Sequence, residues 1–113
     1  DCWYGPAVLC NLPQARVRRV ESNDYFITRV SEPKNHFNEN TVDIHFDVFV
    51  EDKKTKQIIE FKEVHSMRYF FKPELELLFD QVGFELLSLE EWVTGGQTSE
   101  KTWGVCFVCR KTR

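Results

Sequence analysis

The stretch Thr41-Val-Asp-Ile-His-Phe-Asp-Val-Phe-Val-Glu51 decides how the rest of the chain is read. Val42, Ile44, Phe46, Val48 and Val50 alternate with Asp43, His45 and Asp47, the period-2 signature of a half-buried strand. After the turn Asp52-Lys53-Lys54-Thr55 a second long strand is predicted over about 57–69. Two register parities are open to this hairpin. The one that places Ile59, Phe61, Glu63, His65 and Met67 beside the apolar face of the first strand is preferred, because it joins apolar to apolar and leaves Lys62 near the carboxylates. Working backward, a polar loop is expected over 31–40, with strands over about 24–31 and 15–21 joined at Glu21-Ser22-Asn23-Asp24. Tyr25, Ile27 and Arg29 would share one face.

Working forward, one helix is expected over about 73–82. Pro73 suits the first turn, Glu74 and Glu76 complement the helix dipole, and Leu75, Leu78, Phe79 and Val82 repeat at helical spacing before Gly83. A strand over about 84–92, a flexible loop Val93–Ser99 and a last strand over about 102–110, apolar on both faces, complete the chain. At the other end, Asp1-Cys-Trp-Tyr-Gly-Pro-Ala-Val-Leu9 reads as the exit of a strand into a loop, broken by Gly5 and Pro6. The fold class is therefore α+β: a mostly antiparallel sheet with a four-strand meander over about 15–69, one helix, and a C-terminal antiparallel strand pair. These parts read as one domain of 113 residues, divided 1–14, 15–69 and 70–113, and as a piece of something larger.

Composition narrows the function classes. Hydrophobic residues make up 42% and aromatics 14%, the balance of a folded protein rather than a disordered tail. Fifteen Lys and Arg against 18 Asp and Glu leave a net charge of -3, and the cations are interleaved with anions, so no nucleic-acid footprint is expected. Arg16-Val17-Arg18-Arg19, the one basic run, reads as a solvated strand face. No apolar run is long enough to span a bilayer. Four cysteines are too few for a disulfide scaffold, which points to the cytoplasm. Cys106-Phe-Val-Cys109 would place its thiols on opposite faces of a strand, so it reads as two small apolar residues and not as a metal or redox motif. No metal site is expected. His45 between Asp43 and Asp47 reads as a solvated face opposite Lys62.

Glu63-Val-His-Ser-Met-Arg68 is different. It sets an acid, a base and a cation on one short stretch of strand, with Glu63 and His65 on an otherwise apolar face. Burying them costs free energy unless each finds a partner, which can be each other, Arg68 or a ligand. A catalytic pair and a structural histidine satisfied by its own carboxylate both fit this spacing. Trp3 and Tyr4 at a strand exit suit the wall of a small-molecule pocket, and core packing accounts for them equally.

Three stretches together resemble class I S-adenosylmethionine (SAM)-dependent methyltransferases, in their C-terminal region. Asp1–Leu9 resembles the segment after the fifth strand of that family. Glu63–Phe70, with Lys72-Pro73-Glu74-Leu75 and Gly83-Phe84, looks like its strand-to-helix segment, and Trp103-Gly-Val-Cys-Phe-Val-Cys-Arg-Lys111 is similar to its last strand. The type most similar is the amino-sugar N,N-dimethyltransferases, which insert an antiparallel sheet where residues 15–69 lie. Those enzymes carry Trp-Trp-Phe-Pro where this chain has Trp3-Tyr4-Gly5-Pro6. The resemblance implies that SAM is the cofactor of the full-length protein, held by an N-terminal half, with no cofactor bound by this chain and no activity from it alone. It implies a small-molecule acceptor, and a homodimer through the inserted sheet. It implies Trp3, Tyr4 and Arg68 as acceptor-binding residues, with His65 as base and Glu63 as its orienter. The competing reading is a self-standing α+β ligand-binding or dimerisation module without catalysis.

Overall fold

A computed structural model describes Asp1–Arg113, which separates into two compact units. The meander unit is Pro13–Met67; the terminal unit joins Asp1–Leu12 to Arg68–Arg113. The elements in order are β1 (Cys2–Tyr4), α1 (Gly5–Cys10), β2 (Arg16–Glu21), β3 (Tyr25–His36), β4 (Thr41–Asp52), β5 (Ile58–Phe70), α2 (Lys72–Val82), β6 (Phe84–Glu91) and β7 (Gly104–Lys111). The α+β class holds, as does its largely antiparallel sheet.

The meander unit runs β2-β3-β4-β5. β3 pairs antiparallel with β2 from Arg16↔Ser31 to Glu21↔Phe26 and with β4 from Tyr25↔Asp52 to His36↔Thr41. β3 is therefore longer than the sequence indicates. Its polar second half, expected as a loop over 31–40, stays in the ladder because β4 supplies a partner for each residue; even Pro33 stands opposite Ile44. Only Phe37–Asn40 turn, with Asn40 at φ 54, a left-handed conformation that asparagine tolerates. The far end of the sheet is tied by Lys53, whose Nζ donates to Glu21 Oε1 at 2.5 Å and to the Ser22 carbonyl at 2.6 Å.

The terminal unit runs from the end of β5 through β1 and β7 to β6. β1 pairs in parallel with β5 (Trp3↔Tyr69, Tyr4↔Phe70) and antiparallel with β7 (Cys2↔Val105, Trp3↔Gly104). Ala7, Val8, Tyr69 and Val105 are buried here. The strand exit at Tyr4 does not open into a loop, as Gly5-Pro6 suggested. It enters helix α1, so the chain has two helices rather than one. Proline lacks only an N–H that the first helical turn leaves unbonded, so at this position it starts a helix. Gly5 is required for another reason: a Cβ there would meet the Phe71 ring at 2.5–2.8 Å.

α2 starts and stops as its sequence dictates. Phe71 is extended, Glu74 Oε1 accepts the Phe71 N–H at 3.1 Å, and Gly83 ends the helix at φ 81. The end of the chain closes on that terminus. Thr112 donates its N–H and hydroxyl to the Gly83 carbonyl, and Arg113 Nη2 donates to the Asp80 carbonyl at 2.7 Å. Phe79 meets Phe107 of β7 edge-on at 6.1 Å. The β6–β7 loop is well bonded: Glu91 accepts from the Thr94 and Thr102 hydroxyls at 2.8 and 3.3 Å, and Thr102 is buried.

Candidate functional site

In the meander unit the preferred register is the one observed. Lys62 Nζ reaches Asp47 Oδ2 at 3.0 Å, so the even residues of β5 share the face of Asp43, His45 and Asp47. The odd residues, Glu63 and His65 among them, lie on the face of Ile44, Phe46 and Val48. His65 stands edge-on to the Phe46 ring at 5.0 Å, and its Nε2 lies 3.0 Å from Glu63 Oε2. The pair expected to need a partner thus forms within itself. It is not buried: the two side chains are 55% and 54% exposed. Water then bears most of the solvation, and a surface pair of this kind is worth about 0–1 kcal/mol to folding. What the geometry does provide is orientation. A carboxylate on Nε2 fixes the N–H there and leaves Nδ1 as a lone-pair base.

A shallow cleft of about 270 Å³ is lined from β3, β4 and β5, with Glu32, His45, Phe46, Asp47, Lys62 and Glu63 among its walls. Beside it Asp43 joins three strands, accepting from the Ser66 hydroxyl on one oxygen and lying 2.9 Å from His36 Nε2 through the other. The Ser66 hydroxyl, and then His36, hold the Asp43 carboxyl below the usual carboxylate range. Serine, aspartate and histidine meet here, but aspartate stands in the middle. His36 is not placed between Ser66 and Asp43 and cannot take the serine proton, so the trio is no nucleophilic triad. Asp47 raises the Lys62 ammonium above its ordinary value, and one Asp47 oxygen is buried without a partner. No three His, Cys, Asp or Glu side chains are disposed to hold a metal ion.

In the terminal unit Trp3 and Tyr4 are half-buried. Trp3 stacks edge-on against Trp103 at 5.4 Å, and the Tyr4 N–H donates to the Trp103 carbonyl at 2.8 Å. Arg68 is committed locally. Its Nη2 lies 3.0 Å from Glu74 Oε2, its Nη1 donates to the Tyr69 carbonyl, and the guanidinium sits 4.4 Å over the Phe70 ring. Spacing could not reveal this, because Glu74 faces Arg68 only after the chain turns from β5 into α2. The cysteines are free, and burial pushes the Cys2 and Cys109 thiols up, away from nucleophilic chemistry.

Neither strand-to-helix turn of the chain has an open glycine at which SAM could approach the backbone. A nucleoside cofactor of this kind needs a glycine-opened turn from strand to helix where its groups approach the backbone. The β1–α1 turn has its glycine, but the space over Gly5 is filled by Phe71; the β5–α2 turn, Phe71-Lys72-Pro73, has none.

No family model matches the chain, and no curated protein matches its sequence. Solved structures do match. A SAM-dependent methyltransferase from Clostridium acetobutylicum superposes with a TM-score of 0.71 at 13% identity, over 96% of this chain and 42% of that one. The sugar N-methyltransferase of a Streptoalloteichus species gives 0.65 at 16%, over 98% and 40%. A SAM-bound amino pentose methyltransferase from Micromonospora echinaspora, involved in calicheamicin biosynthesis, gives 0.63 at 22%, over 87% and 36%. The chain spans about two fifths of the length of these structures. Its fold is that of a part of the SAM-dependent methyltransferases, sugar N-methyltransferases among them.

Proposed function

We propose that the chain is the C-terminal, acceptor-side part of a SAM-dependent methyltransferase acting on a small molecule, inactive without a SAM-binding half. One observation carries the reading: 96% of the chain follows a methyltransferase fold while spanning only 42% of it. SAM, when bound in the whole protein, supplies an activated methyl group. The residues of this chain position the acceptor and manage its proton.

In the meander unit His65 is the base. Glu63 holds Nε2, and Nδ1 takes a proton from an acceptor hydroxyl or ammonium. In the terminal unit Trp3 and Tyr4 offer aromatic surface with one polar end, suited to a small organic acceptor. Arg68 is bound to Glu74 and serves the acceptor by holding the β5–α2 junction, its remaining N–H groups being available to a ligand oxygen. The inserted meander as a dimer contact, and a cytoplasmic site of action, belong to the same reading.

The test uses a longer protein in which a SAM-binding half precedes this chain, assayed for transfer of labelled methyl from SAM to a panel of small amines and alcohols. His65→Ala should lower turnover by about 100-fold, the lower end of general-base contributions, with SAM affinity unchanged. Turnover equal to the parent protein removes His65 from the chemistry. No transfer to any acceptor by the parent removes the methyltransferase reading.

A further inference from the structure

The run Arg16-Val17-Arg18-Arg19 looks solvated in sequence, but folding changes its company. Arg18 stands directly opposite Arg29 across the β2–β3 ladder, and Arg16 opposite Ser31, so Arg16, Arg18 and Arg29 share one face of the meander. Like charges directly opposite one another on neighbouring strands oppose folding. None of the three guanidiniums is in an ion pair, and all three residues are exposed.

Strand alternation explains why no carboxylate relieves them. Glu32, Asp43, Asp47, Glu51 and Glu60 all fall on the other face. The two carboxylates on the arginine face are engaged elsewhere. Glu63 is held by His65, and Asp52 accepts the Lys54 and Thr55 N–H groups at 2.8 and 3.1 Å. Arg29 is further fixed by the Phe46 ring, 5.0 Å from its guanidinium carbon. The result is a group of forked donors on one face, beside an apolar strip of Val20, Ile27 and Val48, with no carboxylate of the protein paired to it.

We propose that Arg16, Arg18 and Arg29 form a binding site for a phosphate-type oxyanion. Planar guanidiniums match the oxygens of such a group in pairs, and an anion bound among them removes the repulsion that folding created. None of the three arginines has a role in the methyltransferase reading, so the site can stand or fall apart from it.

Inorganic tripolyphosphate is the probe, titrated into the 113-residue chain by calorimetry at low salt. Saturable binding is expected, weakening as salt is added. Arg18→Gln with Arg29→Gln should lower the affinity by about tenfold or more, and Lys34→Gln, which removes one charge from the opposite face, should leave it within about twofold. The melting midpoint of Arg18→Gln alone, without ligand, should hold or rise, because that substitution relieves the pair; this also shows that the variant is folded. Absence of saturable binding to the parent chain overturns the proposal, and so does equal weakening by the Lys34 variant. A melting midpoint that drops sharply in Arg18→Gln overturns it as well, since Arg18 would then be satisfied by the protein.

Discussion

Asp43 shows how one side chain can set a pH dependence. Its carboxylate accepts the Ser66 hydroxyl and faces His36, and both hold its pKa below that of an unfolded aspartate. A group depressed in this way stabilises the fold above its unfolded pKa, and that contribution disappears as pH falls through the lower folded value. Asp43→Asn should therefore melt below the parent chain at about pH 6, and the gap should narrow as pH is lowered below the ordinary aspartate value of about 3.9. Melting curves at several pH values check this; a gap independent of pH would place the loss in packing and not in the charge. Sequence alternation already put Asp43 and Lys62 on one face and Glu63 and His65 on the other. It could not show that His36 would reach Asp43, because β3 was not expected to extend that far. Nor could it show that the Glu63–His65 pair stays half in water, which depends on what covers a face rather than on who shares it.

At the scale of elements, α2 was legible because three signals agreed: Pro73 and Glu74 at the start, helical spacing of leucines, and Gly83 at the end. α1 was not, since its six residues are too few for periodicity and Gly5-Pro6 reads as a breaker until the helix is seen to begin there. Glu74 joins the two junction devices, as acceptor for the Phe71 N–H and as partner of Arg68. Glu74→Ala removes both and should cost about 1–2 kcal/mol in denaturant unfolding. Glu74→Gln keeps an acceptor and loses only a part-exposed ion pair, so about 0.5 kcal/mol is expected. Equal losses in the two variants would show that the ion pair, not the cap, dominates the junction.

Over the whole molecule, α2 has no buried residue, and Leu77 and Val82 are 59% and 67% exposed. Titrating SAM into the 113-residue chain should give no saturable heat at about millimolar ligand, the range in which a weak site of about 4 kcal/mol would still register. A clear isotherm would mean that the cofactor site lies within these residues. The terminal unit is assembled from both ends of the chain, and the meander enters and leaves it at Leu12–Pro13 and Met67–Arg68. In engineering terms the meander is a cassette, but its second seam falls inside β5 and not in a linker. Any transplant must therefore keep phase. Adding or removing an even number of residues at that seam preserves which side chains point which way, whereas a single-residue slip would turn Tyr69, now 1% exposed, toward the opposite side.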